Sequence, residues 1–563
     1  MARVLHQSTL STLDIPDVAA DALLRGAARA YPDRIALLDG AETLTFSALE
    51  DAALRVARGL RERGVRPGDV IALHMPNTTW YLVAYYGALC AGAAVAPLNP
   101  AQPAPALRAQ LADCGARAIV THPANAAVLA EAADDIRLIV HVPGSAAAPA
   151  PADAVLPDGA VPLAELLVHD RLTEYRPDPA LVAHLQLTGG TTGRSKAVRV
   201  LHRNLVANVL QGLCWRTCSR PVLDDDGGVR LAPIEPPAPG ALAPGTGTTI
   251  SIAPLFHGLG LVGHNGTTVL GSTAVITGGR FDADQFIIDI ERYGVTQMSG
   301  SPAMYYGMLR SPEAGRRDLS SVRSVTSGAA PIDSGALRRL RELLPGADVH
   351  EGYGLSEATM GLTMTPPGCA IETPPGSVGI ALAGTELQIR AEDGTTVLPQ
   401  GDTGEIWARG PQITDGYQND PELTAAQFID GWLRTGDLGR LDEHGFLFLV
   451  GRAKDMLIYK GYNVYPQPLE ELLCSHPAIA QASVVGRRDP EAGEIPVGFV
   501  LLRPQAAAEA ERGQEFRDEV LAYVARRVAP YQRVRELHVV DALPLTPTGK
   551  ILKTELRARL QHQ

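Results

Sequence analysis

Short apolar runs alternate with longer amphipathic stretches through much of this chain, and that rhythm narrows the fold more than any single residue does. DVIALHM, TTWYLVAYYGALCAG, AAVAPLN, ALRAQLADC and RAIVTH follow one another between residues 69 and 122. Strand alternating with helix predicts an α/β protein with a largely parallel sheet, because parallel strands need a crossover of a dozen or more residues. The pattern resumes after residue 180 with LVAHLQLT, a helix over about 203–215, then ISIAPLF, TAVIT, VTQMSG and SVRSVTSG. The uncharged stretch from Thr78 to Asn99 is long enough to span a bilayer, but Gly87, Gly92 and Pro97 interrupt it. It reads as a buried helix running into a strand, so no membrane span is expected.

At 563 residues and 45% apolar content the chain exceeds what one core supports, so at least two domains are expected. From about Gly384 the pattern changes to strands and turns, as in ELQIR, GEIWARG and GFLFLVG. After Asp455 a compact α+β tail follows, large enough for an independent domain. We expect a large domain over 1–451, built of mostly parallel sheets flanked by helices with a β-rich subdomain, and a small, mobile α+β domain over 452–563. Two Ala/Pro/Gly-rich stretches, 143–162 and 224–248, read as exposed loops. A net charge of −12 argues against a nucleic-acid or anionic-membrane binder, since phosphate backbones demand a basic face. Cys90, Cys114, Cys214, Cys218, Cys369 and Cys474 are scattered, without disulfide-framework or zinc spacing, and no apolar secretory segment opens the sequence. A reducing, cytoplasmic setting is expected.

The run LTGGTTGRSK, residues 187 to 196, combines glycines that let backbone approach a ligand with hydroxyls and a lysine that suit phosphate oxygens. It is not the P-loop of nucleoside triphosphatases. Counted from Gly189, the second glycine position of that pattern holds Arg194 and the lysine position holds Ser195. Further stretches accompany it in order: PLFHGLG (254–260), SVTSGAAPI (324–332), EGYGLSE (351–357), TGDLG (435–439), GRAKDMLIYKGYNVYP (451–466) and PLTPTGK (544–550). In this order and spacing they resemble the adenylate-forming superfamily of acyl-CoA synthetases, aryl-CoA ligases, luciferase and peptide-synthetase adenylation domains. The resemblance runs over nearly the whole chain.

The resemblance implies ATP-dependent activation of a carboxylic acid as an acyl adenylate, then transfer to a thiol, with Mg2+ and CoA as further requirements. The opening run would be the phosphate loop, with Thr188, Gly189, Gly190, Thr191, Thr192, Gly193 and Lys196 around the β- and γ-phosphates. It differs from the common form at Gly189, Ser195 and Ala197, where serine, proline and glycine are usual. Gly328, Ala329 and Ala330, and Glu351, Gly352 and Gly354, would line the nucleotide. Tyr353 would stack on adenine and Ser356, usually threonine, would contact phosphate. Glu357 would hold Mg2+, a hard cation suited to carboxylate and phosphate oxygens. Asp437 would accept both ribose hydroxyls, with Arg452 in support. Lys454 falls at the hinge about which the small domain rotates between half-reactions. Lys550 would bridge the substrate carboxylate and the α-phosphate in the first of them, a mobile charge suited to the charge that builds there. Gly461, in KGYNVYP, would close on the pantetheine of CoA.

His257 falls where the resemblance places a side chain near the acyl carbonyl. The segments GHNGTT, SGSPAMYY and SGAAP, with Gly328, would line the acyl pocket, and His264, Asn265, Ser299 and Ser301 make it polar for a fatty-acid tunnel. A compact, polar-substituted aryl or arylacrylic acid is therefore expected, with free CoA or a separate carrier protein as acceptor. Relatives that form amides, or that activate nitrite to diazotise an arylamine, provide alternatives on the same scaffold. An inactive binding relative is disfavoured, because Lys196, Glu357, Asp437, Arg452 and Lys550 are all present.

Overall fold

The computed structural model describes residues 13–188, 196–237, 240–278, 281–367, 373–546 and 550–561. Two seven-stranded sheets carry the large part of the chain. In the first, Val161–Pro162, Leu138–His141, Ala116–Thr121, Val70–His74, Ala94–Pro97 and Val182–Thr188 run parallel, and Lys196–Leu201 returns antiparallel at one edge. In the second, Asp348–Glu351, Ser324–Ser327, Gln297–Gly300, Thr248–Ser251, Thr273–Ile276 and Ile35–Asp39 are parallel, and Glu42–Thr45 closes the far edge antiparallel. The expected α/β class with mostly parallel sheets is what the chain adopts.

The helix Thr79–Cys90 confirms the reading of the uncharged stretch as core. Nearly every residue in it is buried, Thr78 caps the Tyr81 N–H, and the chain passes directly into the strand Ala94–Pro97. Its three tyrosines are fully buried yet keep hydrogen-bond partners. Tyr81 donates to the Leu255 carbonyl, Tyr85 meets His184 Nε2 at 2.8 Å, and Tyr86 Oη lies 2.9 Å from the Thr268 hydroxyl. The bonds to Leu255 and Thr268 fasten the helix to the segment that carries His257. Gly87 lets the neighbouring helix Phe46–Glu62 approach, for a Cβ there would lie 2.5 Å from Val56 Cγ1. Among the described residues no helix is long and apolar enough to cross a membrane.

A five-stranded antiparallel sheet follows, containing Glu386–Arg390, Gly404–Arg409, Phe428–Ile429, Trp432–Leu441 and Leu447–Arg452, the β-rich region expected from about Gly384. A separate core begins at Leu457, where Leu469, Val484, Val500 and Phe516 pack between helices and another five-stranded sheet.

The expectation that 224–248 is only an exposed loop is corrected. Val229–Pro233 forms a hairpin strand with Ser219–Leu223, and Val229 is buried against the helix Asp21–Ala30. Gly26 makes the fit possible, since a Cβ there would fall 1.9 Å from the Val229 carbonyl oxygen. The stretch 143–162 is largely irregular, apart from the short edge strand Val161–Pro162.

Candidate active site

Parallel strands deliver side chains and backbone to one edge, and here Gln297–Gly300, Ser324–Ser327 and Asp348–Glu351 end next to Ser301, Gly328 and Gly352. Gly328 N–H donates to the Gly300 carbonyl, fixing these ends side by side. Ala329 then takes φ +69°, a left-handed conformation that costs a non-glycine residue energy and turns the chain sharply. Ser301 opens the helix Pro302–Arg310 without using its hydroxyl as a cap, and the Ser327 hydroxyl is buried with no partner among the described residues.

At the other sheet, Thr188 and Lys196 pair across the antiparallel edge hairpin, so both flanks of the Gly/Thr run are held at one place. Gly189, Gly190, Thr191, Thr192 and Gly193 lie outside the described residues. The Lys196 ammonium stands 5.7 Å from the Tyr417 ring centroid. Tyr417 Oη is 2.6 Å from Glu357 Oε1 and 2.7 Å from Gln427 Oε1 as assigned. An ionised carboxylate can only accept, so the phenol proton belongs to Glu357, and Gln427 completes the set by presenting its amide N–H instead. Glu357 sits in a short 3-10 turn, and Thr414 donates both its N–H and its hydroxyl to the Glu357 carbonyl. Tyr417 and Gln427 were not singled out from sequence. The signal available was TDGYQND, a polar glycine-containing turn beyond a strand.

Asp437 and Arg452 are direct cross-strand partners, with Arg452 Nε 3.3 Å from Asp437 Oδ1. Tyr353 donates its hydroxyl to Asp437 Oδ2 at 2.8 Å. Each carboxylate oxygen is thus engaged by one donor, which fixes the carboxylate plane and leaves further lone pairs for a diol. Burial, with the Asp437 charge beside it, raises the Tyr353 phenol well above its ordinary range, so it remains a donor.

Lys550 reaches this group from the small domain, where the Thr546 N–H donates to the Lys550 carbonyl and the Lys550 N–H donates to the Thr546 hydroxyl. Burial lowers its ammonium pKa first, with Arg452 and Lys454 adding to the effect, while Asp437 and Glu357 oppose it. The Lys454 ammonium is lowered by desolvation, then by Arg452, with Lys196 also acting on it. Lys196, Arg452, Lys454 and Lys550 therefore share one locus with Glu357 and Asp437, a positive focus in a chain of net charge −12. Such a focus suits a polyphosphate.

His257 caps the helix Gly258–Leu270 by accepting the Leu259 N–H at Nδ1, and burial with the nearby Lys550 charge pushes its pKa down to about 4. It is a neutral imidazole with Nε2–H free to donate, the tautomer its cap bond requires. His264, on the same helix, is fully buried and neutral, with a pKa pushed down to about 4 by burial, and neither ring nitrogen has a partner among the described residues. Asn265 differs from the expectation that it offers polarity to a ligand. Its amide donates to Tyr85 Oη and the Leu261 carbonyl and its oxygen accepts from Tyr86, so it is consumed by the core. Gly263 and Gly266 leave part of the helix bare, with no atom within 4 Å of where a Cβ would stand. Gly461 occupies a turn at φ +82° beside Lys460, lining an open groove of about 750 Å³ on the small domain with residues 488–494.

Glu351 is partly buried next to the small domain. Desolvation pushes its pKa up to about 7 from an ordinary 4.5, with Glu471 and Asp333 adding repulsion and the Ile332 N–H and Arg341 opposing. A folded-state value above the unfolded one means the native protein binds the extra proton, so stability falls as pH rises from 4.5 to about 7. Glu351→Gln should raise the thermal midpoint relative to the parent at about pH 8, and the difference should vanish near about pH 4.5. Thermal melts at the two pH values check this.

The model described as AMP-binding enzyme matches residues 24–418, and that of the AMP-binding enzyme C-terminal domain matches 468–550. The 4-coumarate–CoA ligase 5 of Oryza sativa subsp. japonica is 34% identical over 534 residues, covering 94% of this chain and 92% of that protein. An anthranilate CoA ligase solved with anthranoyl-AMP has the same fold, with TM-score 0.83 at 24% identity and 98% of each chain covered. An amide bond synthetase from Marinactinospora thermotolerans superposes with TM-score 0.79 at 26% identity, over 96% of this chain and 99% of that one.

Proposed function

The chain belongs to the AMP-binding enzyme family, and on that premise we propose that it activates a compact, polar-substituted aromatic or arylacrylic acid as its adenylate and passes the acyl group to CoA. The observation that carries the reading is Lys550, partly buried and sharing one locus with Asp437, Glu357, Arg452 and Lys454. The relation to a 4-coumarate–CoA ligase supports the acid class and the acceptor.

In the first step a carboxylate oxygen attacks the α-phosphorus of ATP and pyrophosphate leaves. Negative charge is spread over the phosphoryl oxygens, and Lys550 and Lys196 stand where preorganised cations are most effective. Asp437, oriented by Tyr353 and Arg452, holds the ribose. In the second step a thiol attacks the acyl carbonyl and AMP departs with one of the original carboxylate oxygens. His257, with a free Nε2–H, hydrogen-bonds the acyl oxygen and orients it. Among the described residues no group of three or more His, Cys, Asp or Glu side chains stands ready to cage a metal. The donor set fits Mg2+ nonetheless, because that ion is commonly held by one carboxylate, here Glu357, together with substrate phosphates and water. When bound it would neutralise phosphate charge.

The acyl end is read from the helix Gly258–Leu270. Its bare Gly263 and Gly266 leave room for a ring, and the unpartnered His264 nitrogens suit a hydroxyl or amino substituent. A hydrogen-bonding site rejects analogues that leave its groups unpaired. Hydroxylated or aminated aromatic acids should therefore exceed saturated chains of similar size in kcat/KM. Gly263→Phe should lower kcat/KM for the arylacrylic acid by about tenfold or more, with less effect on acetate-sized acids.

The test is pyrophosphate release with a panel of acids, with and without CoA or an amine, and mass measurement of the products. Thioester formed only with CoA supports the reading. Amide formed in preference to thioester, as the likeness to an amide bond synthetase would have it, or release driven only by nitrite with an arylamine, would replace it.

A further inference from the structure

His257 closes a segment without regular structure. Between the strand Thr248–Ser251 and the helix Gly258–Leu270 the chain runs irregularly over residues 252–257. At its end the His257 N–H donates to the Pro254 carbonyl at 3.0 Å, and Gly260 permits the fold-back, since a Cβ there would lie 2.2 Å from the Pro254 carbonyl oxygen. Further holds come from side chains that belong to the other seven-stranded sheet and the helix after its strand Val70–His74. The Asn77 amide donates to the Ser251 carbonyl at 3.0 Å and the Ala253 carbonyl at 3.1 Å, and its oxygen accepts the Leu255 N–H at 2.9 Å. Tyr81 adds its bond to the Leu255 carbonyl.

Gln186 takes the last carbonyl before the imidazole. Its Nε2 donates to the Phe256 carbonyl at 3.0 Å, the residue is 2% exposed, and its buried Oε1 has no partner among the described residues. A buried amide with half of its bonding capacity unused is unfavourable for folding, so burial alone gives no reason for a glutamine there. Its position gives one. Gln186 lies in the strand Val182–Thr188, two residues before Thr188, which pairs with Lys196 at the flank of the Gly/Thr run. The strand that ends on the phosphate side therefore also grips the backbone next to His257. The Phe256 carbonyl belongs to the peptide plane that ends at the His257 Cα, so a bond to it fixes the orientation from which the His257 side chain leaves the chain.

On the role given to His257 in acyl transfer, we propose that Gln186 is a positioning residue for that step: by holding the Phe256–His257 peptide it aims the His257 Nε2–H at the acyl oxygen. Asn77 and Tyr81 act further back, at residues 251–255, and fix the path of the segment. A misplacement of about 1 Å in a group that orients the reacting atoms is enough to cost about 10²-fold in rate.

The whole protein, supplied with a pre-formed arylacryloyl adenylate and CoA, tests this. Gln186→Met keeps an unbranched side chain of similar length and removes the donor. Its turnover should fall about tenfold, with KM for CoA unchanged to within about twofold. In His257→Ala the same substitution should cost less than about twofold more, because residues that act through one group are not additive. Gln186→Glu can donate to the Phe256 carbonyl only as the neutral acid, so its rate relative to the parent should rise as pH falls and drop towards that of Gln186→Met as pH rises. That ratio is read across pH within one variant and decides the matter if Gln186→Met proves poorly folded. Multiplicative losses in the double variant, a raised KM at parental turnover, a pH-independent ratio for Gln186→Glu, or parental turnover in Gln186→Met would each overturn the assignment while leaving the role of His257 standing. Parental thioester formation in His257→Ala would overturn that role and the assignment together.

Discussion

Replacing Lys550 by alanine is expected to reduce acid-dependent pyrophosphate release by about 10²–10³-fold, the scale for removing one preorganised charge from a phosphoryl or acyl transition state. The effect should lie in turnover more than in binding, because in the proposed role the ammonium meets charge that develops only during reaction. The small domain brings Lys550 into the locus, so a rotation of that domain would carry it away again. Supplied with pre-formed acyl adenylate, Lys550→Ala should therefore still make thioester at close to the parental rate. Lys454→Pro should do the opposite, since proline fixes φ at the proposed hinge: adenylation survives and thioester formation falls. Rapid-quench measurements of the two half-reactions distinguish these outcomes. Equal loss in both half-reactions for Lys550→Ala would remove domain alternation from the account.

Asp437→Ala is the second large effect. It removes the proposed acceptor for the ribose and strips two groups of their partner, the buried Tyr353 hydroxyl and the Arg452 guanidinium. We expect kcat/KM for ATP to fall by about 10²-fold, the order that losing a charged, oriented hydrogen-bond acceptor gives. The stranded phenol should cost a further ~1–3 kcal/mol of stability. Asp437→Asn separates the two. An amide oxygen still accepts from Tyr353, so stability should recover, while the ATP defect should persist because the amide offers one acceptor oxygen instead of two. ATP titration of initial rates, alongside thermal melts of both variants, checks the pattern.

Much of the fold was legible because alternation of apolar runs is local. TTWYLVAYYGALCAG followed by AAVAPLN encodes a core helix and the strand after it, and each appears where the pattern puts it. The ordered motifs likewise marked Lys196, Glu357, Asp437, Arg452 and Lys550, and the structure brings these into one locus. What escaped was long-range pairing. Nothing near Tyr353 tells that its hydroxyl goes to a carboxylate 84 residues away, nor anything near Tyr417 that it grips Glu357 60 residues back. The hairpin strand Val229–Pro233 sits in an Ala/Pro/Gly-rich run whose composition argues for a loop. Its order comes from Gly26, some two hundred residues earlier. Asn265 misled for the same reason: its polarity faces Tyr85 and Tyr86, and only the packing of two distant helices shows it.

The central claim is that the acid, not another group, takes the AMP. Single turnover with an acid labelled at both carboxylate oxygens with 18O tests it directly. Carboxylate attack on the α-phosphorus makes one of those oxygens the bridge to phosphorus, and thiol attack at the carbonyl leaves it there. The released AMP should carry one 18O and the thioester the other. Unlabelled AMP, or production of ADP in place of AMP and pyrophosphate, would contradict the account.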